Sequence, residues 1–233
     1  MPVLLRGLLI LSGLLALHTP AAAAEPVRHI GIYVQPFYAA AETPTGKPHV
    51  AVGDPFDALL ASNSREDVLR ARDLIVQDPK MITPMTMMVL AIRLYDVGLR
   101  DDAVFWFYVA KDRFAVMSEV LEMEPLAGAA DAVGSFATLA GPIINGYAFC
   151  DLANQAGLHT KAVDWVEKNP YQVMFMERFA ALPGDRNESV KRAVANARER
   201  ATKERAYLAD TKNAAALNAV RKADDADARF CWK

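Results

Sequence analysis

The chain has 233 residues, of which 53% are hydrophobic and 23% are charged, and its formal net charge at pH 7 is −2. These values exclude an intrinsically disordered chain, which combines low hydrophobicity with high net charge. They also exclude a generally basic nucleic-acid-binding protein, so we expect no nucleic-acid partner. With 12 Gly and 13 Pro, the sequence is neither collagen-like nor of low complexity. It belongs to an ordinary globular protein.

The first 24 residues have the features of a secretory signal peptide. Arg6 precedes a short apolar run over 8–17, and Ala22 and Ala24 supply the small residues of a cleavage site. The run is about half of the roughly 20 residues that a membrane span needs, and an uncleaved N-terminal anchor is the alternative. No later apolar run looks long and charge-free enough to cross a bilayer. The sequence therefore predicts a periplasmic protein of 209 residues after cleavage, without stable membrane insertion.

Two cysteines, Cys150 and Cys231, follow the predicted cleavage site. Two thiols in an exported protein favour one disulfide, and the alternative is two separate buried thiols. A disulfide here would tie the C-terminus to the body of the protein. It would close a loop of about 80 residues, for which chain entropy sets an upper guide of roughly 4–5 kcal/mol.

The predicted elements begin with an N-terminal strand and loop over 25–53, in which β-branched and aromatic residues favour a strand at 27–34 and a short strand could follow at 49–52. A helical hairpin domain follows over 54–182. Its first helix is predicted to begin at Asp54 as N-cap with Pro55 behind it, and to end near residue 61. Ser64 and Thr83 are predicted to cap the next two helices, and Gly98 to end the second of these.

The remaining elements are also helical. A further helix is predicted from residue 101 or 102 past 117, then one over 125–140 that Gly141 and Pro142 break. Two more follow over 143–156, ended by Gly157, and over 160–169. The C-terminal part, 183–233, is predicted to add helices at 187–208 and 213–224, packed on the same domain, with a solvated lead-in at 224–229. The fold class is mainly α, with antiparallel, repeat-like helical hairpins and a small N-terminal β element.

One pattern, G-L-x-x-x-A-V-x-W, occurs twice, at 98–106 and at 157–165. In each copy the glycine, Gly98 or Gly157, is expected to end one helix in a left-handed conformation. The small alanine, Ala103 or Ala162, then lets the next helix approach closely. The alternative is two unrelated hairpins that share favourable turn residues.

Residues 84–117 carry small and large residues at the spacing of a two-helix repeat: Leu90, Ala91, Leu94, Gly98, Ala103, Phe107 and Ala110. In this pattern the chain resembles the tetratricopeptide and Sel1-like repeat superfamily. The second copy keeps Cys150, Gly157 and Ala162, but lies 59 residues after the first instead of about 34. The resemblance implies stacked helical hairpins. The whole chain also resembles uncharacterised exported proteins of Gram-negative bacteria, which brings no activity with it.

No catalytic, cofactor-binding or metal-ligating residues are predicted. The histidines after the signal peptide are His29, His49 and His159, and no two of them are spaced as metal ligands on one helix. Motifs of nucleophilic hydrolases and nucleotide-binding loops are missing from the sequence. The carboxylates weighed as a glycan-cleaving pair are Asp96, Asp112, Glu119, Glu122 and Glu124.

Asp96 and Asp112 fit better as ion-paired helix positions, because Arg93 lies three residues before Asp96 and Asp112 lies between Lys111 and Arg113. The three glutamates crowd one helix end, as is common on a solvated surface.

Residues 104–109 are apolar on every side of the predicted helix, which favours a buried central helix. In the alternative interpretation, aromatic side chains from this region bind a partner, with Phe105, Trp106, Tyr108 and Trp165 as candidates. The basic stretch 191–205 indicates a solvated helix lying on the body, or otherwise a surface for an anionic partner.

The sequence is therefore best interpreted as that of a non-enzymatic periplasmic adaptor or binding protein whose partner is another periplasmic protein. One alternative is an inhibitor, such as an immunity protein against a toxin. The other is a hydrolase with a composite carboxylate site.

Overall fold

A computed structural model describes residues 24–30, 38–39, 49–50 and 52–232. The protein is mainly helical. Its helices are α1 (Phe56–Ala61), α2 (Arg65–Gln77), α3 (Pro84–Asp96), α4 (Arg100–Ser118), α5 (Ala127–Ala148), α6 (Leu152–Lys168), α7 (Arg186–Ala209), α8 (Thr211–Ala223) and α9 (Ala226–Phe230). Short 3-10 turns lie at Glu124–Leu126 and Gln172–Phe175. Two-residue strands, β1 (Tyr38–Ala39) and β2 (His49–Val50), pair antiparallel.

The strand predicted at 27–34 is not present in its described part, because residues 24–30 have no regular structure. They are fixed by single hydrogen bonds instead. Val27 N–H donates to the Arg229 carbonyl at 2.8 Å, and Tyr95 Oη donates to the Val27 carbonyl at 2.9 Å. Ile30 N–H donates to Asp96 Oδ1 at 2.7 Å. The rest of that strand, and the predicted signal peptide up to residue 23, lie outside the described residues.

The predicted helix caps of the first hairpin are confirmed. Ser64 Oγ accepts the Asp67 N–H at 3.4 Å, and Thr83 Oγ1 accepts the Thr86 N–H at 3.0 Å. Gly98 has φ +80° and follows the last residues of α3. Because each cap binds a backbone group that the helix leaves without a partner, these positions set where α2 and α3 begin and where α3 ends.

The predicted start of α1 is wrong. Asp54 does not cap the helix, which begins at Phe56 with no side-chain cap. Instead Asp57, inside the first turn, accepts the N–H groups of Val52 and Gly53 at 2.6 and 2.8 Å. The carboxylate therefore orders the chain that leads into the helix.

The second half of the helical region departs from the prediction at two positions. Helix α5 continues through Pro142 to Ala148, so Gly141 and Pro142 do not break it. Helix α6 begins after Asp151, whose carboxylate accepts the N–H groups of Ala153 and Asn154, and continues through Gly157. The second copy of the repeated pattern thus lies within one helix and forms no hairpin turn.

The apolar character of α5 also differs from expectation. Among the described residues, the stretch Glu124–Ala148 is long and apolar enough by composition to cross a membrane, with mean hydropathy 1.3 and 33% of its most apolar window buried. The prediction that no such run follows the signal peptide is therefore wrong by length and composition, since α5 continues through Pro142. In the structure this helix packs against α3 and α4.

Helix α4 lies at the centre of the fold. It packs against α3, α5, α6 and α7, and its side chains are buried on most sides, as the buried-helix interpretation expected. Ala103 is fully buried where α4 leaves the turn after α3, and Ala162 is fully buried on α6. The buried residues of these helices join one hydrophobic cluster.

The C-terminal arm, residues 211–232, comprises α8, α9 and the two residues after them. Cys231 at its end is paired with Cys150, as predicted, with Cα atoms 5.7 Å apart. Residues 224–229 were expected to be a solvated lead-in, but α9 begins at Ala226 within them. The arm therefore returns to the C-terminal end of α5 and is fastened there.

Candidate functional site

A buried histidine joins three helices. His159 on α6 has its Nδ1 2.6 Å from Glu204 Oε2 on α7 and its Nε2 3.2 Å from Asp112 Oδ2 on α4. The side chains of His159 and Asp112 are only 11% and 9% exposed, and that of Glu204 is 34% exposed. With a carboxylate on each ring nitrogen, the imidazole is held in its doubly protonated form.

The pKa values of this cluster follow from its geometry. Burial alone would lower the pKa of His159, but the hydrogen bonds and charges of Asp112 and Glu204 outweigh it and raise the pKa to about 9. The hydrogen bond from His159 lowers the pKa of the Glu204 carboxyl. At neutral pH His159 is therefore a cation paired with the Glu204 carboxylate.

An aromatic ring and two amides complete the cluster. The Tyr108 ring stacks on the His159 imidazole with centroids 4.2 Å apart. Gln155 Nε2 donates to Tyr108 Oη at 2.8 Å, and Tyr108 Oη donates to Asn145 Oδ1 at 3.4 Å. Burial raises the pKa of Tyr108, so its hydroxyl remains a proton donor.

This arrangement is suited to joining helices more than to acid–base catalysis. Both carboxylates are engaged by the same imidazolium, so neither is a free general base facing a water-filled cleft. In the described part of the chain, no group of three or more His, Cys, Asp or Glu side chains is placed to hold a metal ion.

An open groove lies beside the cluster, between α6 and α7. His159 is followed on α6 by a groove residue, Thr160, and Glu204 is followed on α7 by another, Arg205. The groove measures about 700 Å³ and is mostly apolar. Its lining comprises Leu152, Ala153, Ala156, Gly157, Thr160, Lys161, Arg205, Leu208 and Ala209.

Small side chains and two cations define the chemistry of this groove. Gly157 lies in a regular helix, and a Cβ at this position would meet nothing within 4 Å. Lys161 and Arg205 are exposed, and neither has a hydrogen-bonded or ion-paired partner among residues 52–232. The groove therefore offers an apolar floor that a backbone can approach, with positive charge contributed from both walls.

Two other concavities have less distinctive chemistry. A cavity of about 240 Å³ among α3, α4 and α5 is apolar and carries no charged side chain, with Phe114, Met117 and Tyr171 in its wall. A depression of about 650 Å³ on the outer face of α2 is lined by residues of that helix alone, with charges of both signs.

The aromatic residues proposed for partner binding are brought together, but mainly in the core. Trp106 and Tyr108 are each 2% exposed, and Phe105 and Trp165 are partly exposed. The Trp106 and Trp165 rings meet edge to face with centroids 5.2 Å apart. Any partner surface among these four is thus limited to Phe105 and Trp165, and their binding role stays a prediction.

Three of the five carboxylates weighed from the sequence form ion pairs, namely Asp96, Asp112 and Glu119. Arg93 Nη1 lies 2.6 Å from Asp96 Oδ2, as predicted. Asp112 does not pair within its own helix but with His159, because its side chain turns inward between α4 and α6. Glu119 Oε1 lies 2.8 Å from Arg200 Nη1.

The neighbour of Asp112 also has a structural role. Arg113 is 1% exposed, and its guanidinium donates to the carbonyls of Pro79, Ile82 and Asn169 at 2.7, 2.9 and 2.7 Å. Burial lowers its pKa to about 10. Arg113 on the central helix α4 thus fixes the loop before α3 and the chain that follows α6.

The basic stretch 191–205 is largely neutralised by ion pairs. Arg198 lies 2.7 Å from Asp164 and 2.6 Å from Glu167, and Arg200 pairs with Glu119. These contacts hold α7 on the body, as the solvated-helix interpretation expected. They also leave Arg205 distinct, because its charge is directed to the groove.

The sequence contained a signal for the histidine cluster that its interpretation missed. Gln155 and His159 lie four residues apart on the face of α6 that also carries Ala162 and Val166, which are buried. Two polar residues on a buried face require polar partners. The partner residues on α4 and α7 could not be identified from spacing, because they are distant in sequence.

Comparison with known proteins shows a relative of this chain. The chain is 34% identical over 209 residues to an uncharacterised protein of Haemophilus influenzae, a match that covers 89% of this chain and 81% of that one. The chain belongs to the same family as this Haemophilus protein. The Haemophilus relative is itself uncharacterised, so membership assigns no activity. No family model matches the chain, and no solved structure does.

Proposed function

We propose that this protein is a periplasmic, non-enzymatic binding protein that holds a helical segment of another protein against the groove between α6 and α7. The observation that carries the proposal is the groove, which is open, apolar at its floor and flanked by Lys161 and Arg205. The histidine cluster supports it by fastening α6 to α7, which keeps the groove walls at a fixed separation.

A helix is the occupant that this shape favours. Amphipathic helices bind by laying their apolar face in a groove. Ala153, Ala156 and Gly157 lie on one face of α6 and have little or no side chain, so a second helix can approach closely. Leu208 on the opposite wall is in position to contact an apolar side chain of that helix.

The two cations favour a partner helix with acidic residues beside its apolar face. Lys161 and Arg205 have no carboxylate within the described residues to neutralise them. A carboxylate of a partner would supply that charge, and such complementarity selects among partners and speeds their encounter.

Export is part of the same proposal. The signal-peptide pattern of residues 1–24 and the Cys150–Cys231 pair support an oxidising compartment, because disulfides persist outside the cytosol. We infer no stable membrane insertion, since α5 packs against α3 and α4. The resemblance to tetratricopeptide and Sel1-like repeats is proposed only for the α3–α4 hairpin.

The test is cross-linked affinity capture from periplasmic extract, with the oxidised protein and two groove variants as baits. Gly157→Leu fills the floor, and the double variant Lys161→Glu, Arg205→Glu reverses the charge of both walls. We expect one stoichiometric protein partner with the wild type, and loss of that partner with each variant.

Two matched controls separate binding from folding. Gly157→Ala occupies the same position without filling the groove. Lys168→Glu with Arg192→Glu makes the same charge change on the same two helices, outside the groove. Both controls should retain the partner. No partner with the wild type, or equal capture by all the baits, would overturn the proposal.

The identity of the partner then decides between the two forms of the hypothesis. A resident periplasmic protein supports an adaptor. A secreted toxin, whose activity falls when it is mixed with the protein that served as bait, supports an inhibitor.

A further inference from the structure

The C-terminal arm is attached to the body mainly at its tip. Within the arm, α8 buries a single side chain, Arg221. Near the tip, the Phe230 ring lies so close over Gly146 that a Cβ on residue 146 would come within 2.7 Å of it. The Cys150–Cys231 disulfide is the covalent part of this attachment.

The disulfide is accessible to other molecules. Cys150 lies in the turn between α5 and α6, where it is exposed, and Cys231 is half-buried. Thiol–disulfide exchange requires an attacking thiolate to reach one sulfur atom in line with the bond, and exposed disulfides are the labile ones. Because Cys150 is the more exposed of the two residues, we assign its sulfur as the one that an incoming thiolate attacks.

A buried guanidinium contacts both sulfur atoms. Arg221 Nη2 lies 3.1 Å from Cys231 Sγ and 3.5 Å from Cys150 Sγ, and the side chain is 8% exposed. Its Nη1 donates to the Gly146 carbonyl at 2.9 Å, which fixes its position. An adjacent cation stabilises a thiolate much more than it stabilises a neutral disulfide. Arg221 therefore favours the reduced, ionised state of this pair.

One carboxylate opposes that effect. Asp227 Oδ1 lies 2.8 Å from Arg221 Nη2, and the Asp227 side chain is 78% exposed. Its charge reduces the field of the guanidinium at the sulfur atoms. Arg221 therefore favours cleavage of the disulfide, and Asp227 disfavours it.

We propose that the Cys150–Cys231 disulfide is a site of thiol–disulfide exchange with a dithiol reductant, and that Arg221 holds the leaving thiolate. The reductant thiolate attacks Cys150 Sγ, the bond to Cys231 breaks, and Cys231 leaves as a thiolate beside the guanidinium. The second thiol of the reductant then attacks the mixed disulfide and releases Cys150. The reductant becomes a disulfide, and the protein gains two electrons and two protons as two thiols.

Opening the bond has a structural consequence for the arm. Without the disulfide, the arm is held at its tip by contacts such as Phe230 on Gly146 and the hydrogen bond of 2.8 Å between Val27 and Arg229. Arg100 also donates to the Phe230 and Trp232 carbonyls at 3.3 and 2.6 Å. All these contacts are noncovalent, so reduction should increase the local opening of α8 and α9 away from the C-terminal end of α5. The disulfide is not part of the groove lining. Thiol–disulfide exchange at this site therefore does not depend on whether the groove binds a partner.

The test measures reduction of the oxidised protein by dithiothreitol at neutral pH in the wild type, Arg221→Met and Asp227→Asn. Both variants break the same ion pair. Removal of the cation should slow reduction about tenfold, and removal of the carboxylate should speed it, because leaving thiolates are affected oppositely by the two charges. A change in the same direction in both variants, or no change in either, would overturn the proposal.

The second measurement is hydrogen–deuterium exchange of the wild type before and after reduction. Protection should be lost in α8 and α9 and retained in α3, α4 and α6. An unchanged pattern would show that the disulfide does not control the arm.

Discussion

His159 Nδ1 lies 2.6 Å from Glu204 Oε2, and this ion pair joins α6 to α7 beside the groove, in addition to the pairs that Arg198 makes with α6. Asp112 binds the other ring nitrogen from α4. One imidazolium therefore links the central helix to both walls of the groove, and its charge contributes to holding them together.

The first prediction concerns pH. The pKa of His159 is about 9 in the folded protein against an ordinary 6.5, so folding favours its protonated form. Its contribution to stability is complete below about pH 6.5, is lost as the pH rises through about 9, and amounts to at most about 3 kcal/mol. The pKa of Glu204 is lowered, so its contribution is present above its ordinary pKa of 4.5 and is lost as the pH falls.

Urea unfolding of the wild type and of His159→Gln at about pH 6 and about pH 10 measures this effect. The difference in free energy of unfolding between the two proteins should be large at the lower pH and small at the higher one. A difference that does not change with pH would mean that the cluster contributes by packing alone.

The second prediction concerns Arg113. Replacing it with Met leaves the carbonyls of Ile82 and Asn169 without this donor, and leaves the Pro79 carbonyl with only the Ile82 N–H at 3.3 Å. We expect a loss of about 3 kcal/mol or more in the free energy of unfolding, since each buried orphaned acceptor costs about 1–3 kcal/mol. Arg192→Met on the exposed side of α7 is the control and should change stability by less than about 0.5 kcal/mol. Equal effects of the two substitutions would contradict the assignment.

The third prediction compares two glycines that both lie within helices. A Cβ at Gly157 meets nothing within 4 Å, so Gly157→Ala should stabilise the protein by about 0.5–1 kcal/mol through helix propensity. A Cβ at Gly146 would come within 2.7 Å of the Phe230 ring, so Gly146→Ala should displace the C-terminal arm and lower the stability. Thermal unfolding of both variants checks the signs. The same sign for both would contradict the packing of Phe230 on α5.

The fourth prediction concerns Pro142, which lies inside α5 and is exposed. Proline lacks the N–H that would bind the carbonyl of Thr138, and its ring crowds that turn. Pro142→Ala should therefore raise the free energy of unfolding by about 1–3 kcal/mol. Calorimetry measures it, and a destabilised variant would show that the proline ring makes packing contacts that outweigh the missing hydrogen bond.

Local chemistry made the first hairpin predictable. Ser64 and Thr83 each accept a backbone N–H three residues later, and Gly98 has positive φ just after the end of α3. All three act as predicted. The central position of α4 was also predictable, because apolar residues on every side of a helix require neighbours on every side.

The second hairpin was not predictable from the same signals. Gly157 stands in the same nine-residue pattern as Gly98, yet it lies in mid-helix. The difference is Asp151, which caps α6 six residues earlier, so ending the helix at Gly157 would leave barely one turn. Pro142 is likewise tolerated because α5 packs against α3 and α4 and buries side chains before and after it, such as Phe136 and Ile144. A competing local cap therefore decided the outcome at Gly157, and tertiary packing outweighed local propensity at Pro142.

The candidate site was the least predictable part. The groove arises from two helices that the sequence analysis placed in different segments, and the aromatic residues chosen as a surface are largely core. His159 became informative only when α4 and α7 placed carboxylates on both of its nitrogens. Spacing along one helix carries no information on such contacts.

The hydrogen bond between Val27 and Arg229 joins residues about two hundred positions apart. Bringing such distant segments together costs chain entropy that only a formed body can offset. The arm should therefore dock late in folding, after α3, α4 and α6 have assembled. The sulfur atoms of Cys150 and Cys231 then meet on a surface that is already native. Oxidation of the two thiols therefore follows the folding of the body and does not guide it.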